Sequence, residues 1–220
     1  MNKSQSLFIF LSFICFQVNG KIKTKPIGIN LEMSNTRFIS KDYNTEEKTP
    51  LKYGFCVGVF KEIKLKRHSL IAALNFRQSS AIIDTKDFKV WLTNFEPISI
   101  SNYRLQYLEN TITYSKSVKL KIPFNFSFGI YERFLLRSKV SVLFDNYTVP
   151  YKYVNTSVLR RFDLGSVLCI SKDFNLNKKT HFSVYINNQI GFVNLNNRTI
   201  IKDENIRNIN TGVGVLFYLK

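Results

Sequence analysis

Cysteine, proline and long hydrophobic runs are all scarce in this sequence. Its 220 residues hold three cysteines, five prolines and one tryptophan. No window of about 20 uninterrupted apolar residues exists, which excludes a helical membrane span. Only Cys56 and Cys169 lie beyond the first 20 residues, so one disulfide at most is possible there. A disulfide-dense scaffold is therefore excluded, and we expect both thiols to be free.

Acidic residues are scarce too, with Asp+Glu 15 against Lys+Arg 32 and a formal net charge of +17. The hydrophobic fraction of 45%, which includes 20 Phe and 11 Tyr, is too high for a disordered basic tail. An aromatic-rich composition of this kind favours β-structure. The length corresponds to one domain.

The first 20 residues have the layout of a secretory signal. Lys3 precedes an apolar stretch at residues 7–16, and Gly20 supplies a small residue at the expected cleavage site. We therefore predict a signal peptide over residues 1–20, which is removed on export, and a single domain over residues 21–220. Export separates the protein from nucleic acid, so nucleic acid is excluded as a partner despite the positive charge.

The clearest pattern in the predicted domain is an alternation of apolar and polar residues over positions 118–131. One face carries Val118, Leu120, Ile122, Phe124, Phe126, Phe128 and Ile130. The other face carries Lys119, Lys121, Pro123, Asn125, Ser127, Gly129 and Tyr131. A period of two predicts a β-strand. The predicted strand is longer than the usual five or six residues and long enough to cross a membrane at a tilt.

Seven further segments repeat the alternation, at residues 27–33, 53–60, 69–77, 103–114, 162–171, 182–193 and 210–219. Segment 103–114 fits two registers, and we choose the one that turns Glu109 inward because a charge facing lipid is costly. The connections alternate between long and short, with the shortest predicted at residues 115–117. This layout predicts an all-β fold, an eight-stranded antiparallel up-and-down transmembrane β-barrel of the bacterial outer membrane. Both termini then lie on the periplasmic, short-turn side.

Three stretches carry a family resemblance. They are the run KYGFCVGVFKEIKL at residues 52–65 followed by Ser69-Leu70, the triplet Tyr107-Leu108-Glu109, and the run NTGVGV at residues 210–215. They are similar, in turn, to the second and third strands, the fourth strand and the closing strand of the PorT-like outer-membrane β-barrel family. The resemblance implies this fold and location and no catalytic residues. Since some members are associated with protein secretion across the outer membrane, it also implies envelope or secretion proteins as partners.

The predicted interior of the barrel carries charged side chains. An eight-stranded barrel is just wide enough for its own side chains to fill. Because buried charges need partners, we expect Glu32 and Glu109 to pair with Arg77 or Lys121 and to plug the lumen. The alternative is a narrow, porin-like polar path for small solutes.

Basic residues crowd the predicted short turns. They are Lys61, Lys64, Lys66 and Arg67 in one turn, Lys116 near the second, and Lys178 and Lys179 in the third. Such a ring of charge is suited to anionic lipid headgroups, at about 1 kcal/mol per residue near the surface. The alternative is that these residues are simply solvated. Outer-membrane lipid is the expected partner in either case.

The sequence pattern gives little support for a catalytic centre. Only His68 and His181 offer imidazole groups, and neither is spaced with a serine and a carboxylate as a hydrolase requires. The cysteines and histidines have no metal-ligand spacing, so we predict neither metal nor cofactor. The prediction is a non-enzymatic structural or interaction component. The alternative fold and function is a secreted, soluble, lipocalin-like barrel that binds a small apolar ligand.

Overall fold

The computed structural model describes residues 27–40, 52–65, 68–84, 98–118, 121–144, 151–154, 159–176, 181–195 and 206–219. Their regular secondary structure consists of strands: β1 (Gly28–Ser40), β2 (Tyr53–Leu65), β3 (His68–Asp84), β4 (Ile98–Val118), β5 (Phe124–Phe144), β6 (Tyr151–Val154), β7 (Phe162–Asn175), β8 (His181–Gly191) and β9 (Ile206–Tyr218). In this part of the chain no helix is long and apolar enough to cross a membrane.

Eight of the described strands close into one antiparallel barrel. Each of them pairs with its neighbour in the order β1, β2, β3, β4, β5, β7, β8, β9, and β9 then pairs with β1. The closing ladder runs from Gly28 opposite Tyr218 to Ser40 opposite Ile206. The short strand β6 lies outside this ring, against residues 139–142 of β5. The predicted eight-stranded barrel is confirmed.

Connections around the barrel alternate in length, as the sequence predicted. Residues 66–67, 119–123 and 176–180 join strands at one end, and residues 41–52, 85–97, 145–161 and 192–205 join them at the other. β1 begins and β9 ends at the short-turn end, because Gly28 pairs with both Phe60 and Tyr218.

The predicted start of the long fifth strand was wrong. β5 begins at Phe124, while Val118 is the last residue of β4. The predicted turn at residues 115–117 is paired strand, with Ser115 opposite Ser127. Val118, Leu120 and Ile122 continue the alternation through the connection, so periodicity alone does not mark it. Pro123, which has no N–H to donate to a ladder, is the residue that does.

The outer wall of the barrel is apolar and its inner wall is polar at the level of the short strands. Along β1, Leu31 and Met33 are 45% and 58% exposed, whereas Asn30 and Glu32, which alternate with them, are buried. β5 repeats the arrangement, with Phe128 exposed and Ser127 buried. A soluble lipocalin-like barrel needs the opposite arrangement, with apolar side chains enclosed. That alternative was wrong.

The polarity of the wall reverses towards the long-loop end. β3, β4 and β5 are 17, 21 and 21 residues long, against 11 to 14 for the other barrel strands. A strand needs only about 9–11 residues to cross a bilayer. In the upper half of β4 the inward residues Tyr103, Leu105 and Tyr107 are buried and apolar, while Arg104 faces outward and is exposed. These three strands therefore extend beyond the lipid-facing part of the barrel. There the polar side chains face outward and the apolar side chains face inward, as in a barrel surrounded by water.

An apolar cluster fills this upper part of the interior. It consists of Phe38, Ala81, Tyr103, Leu105, Tyr107, Leu135, Val140, Leu159 and Leu195. A β-bulge between Gln106 and Tyr107 of β4 leaves Leu136 of β5 without a partner in the ladder. Before the bulge the odd-numbered residues Arg133 and Leu135 of β5 face inward. Beyond it the even-numbered residues Ser138 and Val140 do so. The extra residue thus keeps the apolar face of β5 aimed at the cluster.

Candidate functional site: the charged layer of the lumen

Five charged side chains from five strands meet inside the barrel. Glu32 of β1, Arg77 of β3, Glu109 of β4, Arg133 of β5 and Asp163 of β7 are all buried. Each one faces the lumen because it lies an even number of residues from other inward residues of its strand. Acidic and basic groups alternate along this chain of five. We call the five residues the charged layer.

Arg77 is at the centre of the charged layer and uses every N–H that its guanidinium offers. Its Nη1 donates to Glu32 Oε1 at 2.7 Å and to Ser34 Oγ at 3.1 Å. Its Nη2 donates to Glu32 Oε2 and Glu109 Oε1, each at 3.2 Å, and its Nε donates to Glu109 Oε2 at 2.8 Å. Arg77 thus makes a bidentate pair with two carboxylates at once, which is the strongest geometry for an arginine.

Arg133 extends the layer on the other side of Glu109. Its Nε donates to Glu109 Oε2 at 2.5 Å, and its Nη1 lies 3.6 Å from Asp163 Oδ2. Nη2 also donates to the amide oxygen of Gln189. The guanidinium lies 4.2 Å from the centre of the Tyr131 ring, within the range of a cation–π contact. Arg133 therefore has an anion, an amide and an aromatic face as partners.

Neutral side chains contact each of the three carboxylates of the charged layer. Glu32 Oε2 lies 2.9 Å from the Tyr185 hydroxyl and accepts from Asn187 Nδ2 at 2.9 Å. Asn75 Nδ2 donates to Glu109 Oε1 at 3.2 Å, and the Tyr131 hydroxyl donates to Asp163 Oδ2 at 3.1 Å. A buried charge that lacks such partners is strongly destabilising, so these contacts hold the layer in place.

A glycine in the wall makes room for the layer. A Cβ on Gly212 of β9 would meet the carboxylate of Glu32 and lie 2.8 Å from the amide oxygen of Asn187. Any larger residue at this position would push Glu32 away from Arg77. The glycines of the closing strand are thus part of the construction of the site.

The lumen is occupied above and below the charged layer as well. The apolar cluster lies on its long-loop side. Towards the short turns there is a small, partly open cavity of ≈ 70 Å³, whose lining includes polar residues such as Asn30, Asn75 and Asn187 and apolar residues such as Ile71 and Leu216. Since one water takes up about 30 Å³ of liquid, this cavity has room for about two water molecules. The described interior is thus packed with side chains along most of its length.

The structure brings together three of the four residues predicted to form the lumen network. Glu32, Arg77 and Glu109 form the ion pairs described above. Lys121 does not join them, and its predicted place in the lumen was wrong. It lies exposed in the connection before β5, because the strand starts at Phe124, six residues later than the alternation suggested. Arg133 provides the second cation instead.

Sequence reasoning missed Arg133 and Asp163. Arg133 continues the inward series of residues 125, 127, 129 and 131, so extending the predicted strand by one step of two would have found it. Asp163 is the second residue of β7, which follows a long connection, and a lone acidic residue near a strand end carries no signal of its own. Its contact with Arg133 depends on the pairing of β5 with β7.

The seven basic residues predicted for the short turns fall in different places. Lys66, Arg67, Lys178 and Lys179 lie outside the described residues. Lys64 and Lys116 are exposed near the ends of β2 and β4, so both belong to strands rather than turns. Lys61 also belongs to β2 and is buried, opposite Ala72. The assignment of these three lysines to turns was wrong, because β2 and β4 extend further than the alternation predicted.

The two described cysteines are free thiols, and the two histidines pack against aromatic rings. Cys56 and Cys169 are both free, as predicted. His68 stacks on Tyr114 with ring centres 5.2 Å apart, and His181 contacts Tyr218 edge-on at 5.5 Å. Among the residues that the structure describes, no group of three or more His, Cys, Asp or Glu residues is arranged to hold a metal ion.

An apolar outer wall around an ion-paired interior defines a membrane-spanning β-barrel. Residues 26–197 match the family described as "Outer membrane protein beta-barrel domain", and the chain belongs to this family.

Among solved structures, the chain is similar to Neisserial surface protein A (NspA), with 10% identity and a TM-score of 0.45 over 89% of this chain and 99% of that one. It is also similar to Ail, the attachment invasion locus protein of Yersinia pestis, solved with the heparin analogue sucrose octasulfate. There the identity is 9% and the TM-score 0.40, over 87% of this chain and 96% of Ail. No curated protein is significantly similar in sequence.

Proposed function

We propose that this protein is a plugged outer-membrane barrel that works through its surfaces, as a structural or interaction component, and conducts no solutes. The charged layer carries the proposal. All five N–H groups of the Arg77 guanidinium donate to side chains inside the lumen, so a passing solute would have to displace buried ion pairs. Breaking one such buried pair costs about 3–5 kcal/mol. The small cavity below the layer gives no continuous path.

Planar-bilayer recordings of the purified protein test this proposal. We expect no stable, reproducible conductance steps from the natural sequence. A variant with both Arg77→Ser and Arg133→Ser opens the middle of the lumen and serves as the positive comparison. Arg104→Ser with Lys139→Ser removes the same charge from the outer wall and should behave like the natural protein. Reproducible steps from the natural sequence would support the porin-like alternative instead.

We also propose that the protein assists secretion or envelope organisation. The resemblance to PorT-like barrels supports a role in secretion or envelope organisation, through proteins that contact the long loops or the short turns. Chemical crosslinking in native membranes, followed by mass spectrometry of the captured proteins, is the direct test. Capture of secretion or envelope proteins at residues of the barrel would support this role. Recovery of lipid contacts alone would contradict it.

Export by a signal peptide over residues 1–20 is part of the same proposal. We expect the mature protein, isolated from outer membranes, to begin at Lys21. Sequencing of its N-terminus checks this expectation, and a mature chain that retains residues 7–16 would contradict it. Contact of the short-turn end with anionic headgroups remains a prediction, supported in the described part of the chain by the exposed side chains of Lys64 and Lys116.

A further inference from the structure

The outer wall carries a groove of ≈ 380 Å³ across β8, β9, β1 and β2. The groove is open along its outer side, so an elongated ligand can lie along it without being enclosed. Its walls are the outward side chains of these strands, among them Leu31, Met33, Phe55, Val57, Val213 and Val215. Gly214 has no side chain and forms part of the lining between them. The apolar lining suits an acyl chain.

Two exposed arginines lie on the same wall, towards the long-loop end. Arg37 of β1 is opposite Ile209, and Arg207 of β9 is opposite Ile39. The two arginines are therefore diagonal neighbours on one face of the ladder, at positions whose Cα atoms are about 7–8 Å apart in such a pair. Neither has an ion pair with an acidic residue in the part of the chain that the structure describes. Two guanidinium groups that neighbour each other at this edge of the wall concentrate positive charge, which attracts an anion.

The spacing of groove and arginines matches the two ends of a lipid. Met33 lies in the groove and Arg37 four residues further along β1, which is about 13 Å at 3.3 Å per residue. Both side chains are on the outer face, since Met33 and Arg37 are exposed and the residues at 34 and 36 are buried. A molecule with a phosphate at one end and acyl chains at the other can contact both.

We propose that this groove and the pair Arg37 and Arg207 form a binding site for one phosphorylated lipid. An acyl chain lies in the groove, and the two guanidinium groups hold a phosphate at the upper edge of the apolar wall, where arginine is suited to bidentate contacts. In the outer membrane the long-loop side adjoins the external leaflet, so the ligand is the phosphorylated glycolipid of that leaflet. This inference concerns the outer wall and is independent of whether the lumen conducts.

Native mass spectrometry of the full-length mature protein in detergent tests the site. The probes are a bisphosphorylated glycolipid and the same glycolipid with its phosphates removed. We expect a one-to-one complex with the phosphorylated probe and binding that is about tenfold to a hundredfold weaker without the phosphates, because each charge-assisted contact contributes about 1.5–3 kcal/mol. Equal binding of the two probes would overturn the proposal.

Matched variants separate this site from a general basic belt. Arg37→Gln with Arg207→Gln should weaken binding of the phosphorylated probe about tenfold or more. Arg104→Gln with Lys139→Gln removes an exposed, directly opposed basic pair from the other side of the rim and should leave binding unchanged. Equal loss in both variants would overturn the proposal, because the belt as a whole would then bind the lipid.

A groove-filling variant tests the role of the groove, and competition with inorganic phosphate tests whether the site requires the whole lipid. Val213→Trp fills the groove and should weaken binding, whereas Ile170→Trp, on an exposed position of β7, should not. Inorganic phosphate at the concentration of the lipid should not displace it. Displacement by phosphate alone, or unchanged binding in the Val213 variant, would show that no lipid-specific site exists here. Gel mobility of unheated samples confirms that each variant is folded.

Discussion

Arg77→Met offers the sharpest test of the charged layer. The substitution removes five donated hydrogen bonds and leaves Glu32 without a cation, while Glu109 keeps its contact with Arg133. Breaking a buried ion pair by removing one partner costs about 3–5 kcal/mol, because the remaining charge stays buried. We expect the free energy of unfolding to fall by at least that amount, since two carboxylates lose a bidentate partner.

A compensated variant makes the prediction specific. Glu32→Gln and Glu109→Gln added to Arg77→Met leave Arg133 and Asp163 as a neutral pair, so most of the loss should be recovered. Arg104→Met, at an exposed position, should change stability by no more than about 0.5 kcal/mol. Urea titration in lipid vesicles, followed by circular dichroism, measures all four proteins. An unchanged midpoint for Arg77→Met, or no recovery in the triple variant, would refute the reasoning.

Three further predictions concern the wall and the apolar cluster. Gly212→Leu should lower the temperature at which the folded gel band disappears, because the new side chain displaces a carboxylate of the charged layer, whereas Thr211→Leu, on the exposed face, should not. Leu105→Ala should destabilise the barrel by about 2–5 kcal/mol in urea titration, and Leu108→Ala, which faces outward, by clearly less; equal effects would contradict the inward-facing cluster. The buried Cys56 should react with maleimide after unfolding and not before, and rapid labelling of the folded barrel would show an accessible lumen.

The sequence predicted the wall of the barrel because lipid imposes one requirement on every strand. Outward residues of a membrane strand must be apolar, and inward ones need not be, so a period of two survives along residues such as Leu31, Met33, Phe126 and Phe128. The inward position of Glu109 was predicted on the same ground. Strand ends were predicted less well, because the apolar alternation of residues 118–122 runs on through a connection.

The ambiguity of residues 103–114 has a physical cause in the structure. Odd-numbered residues of β4 face inward from Tyr103 to Ser115, yet Leu105 and Tyr107 are inward and apolar while Leu108 is outward and apolar. The strand leaves the lipid between these positions, so the apolar face changes sides while the register stays the same. A rule that assumes one surrounding solvent for a whole strand cannot predict such a change.

The partners within the charged layer were only partly predictable. Glu32, Arg77 and Glu109 belong to strands whose alternation is clear. Arg133 and Asp163 meet through the pairing of β5 with β7, across an intervening connection that contains β6. Which cation reaches which carboxylate depends on the stagger between strands, and hydrophobic periodicity carries no information about it.

Closure of the barrel by β1 and β9 sets the order in which the protein can be assembled. β1 pairs along all of its 13 residues with the strand that is synthesised last among those described. Until β9 arrives, two edges with unpaired backbone groups remain open, and such edges readily pair with other chains. Contacts between segments this distant in sequence also form slowly. Each newly exported chain therefore depends on being kept apart from its neighbours until its last strand is in place.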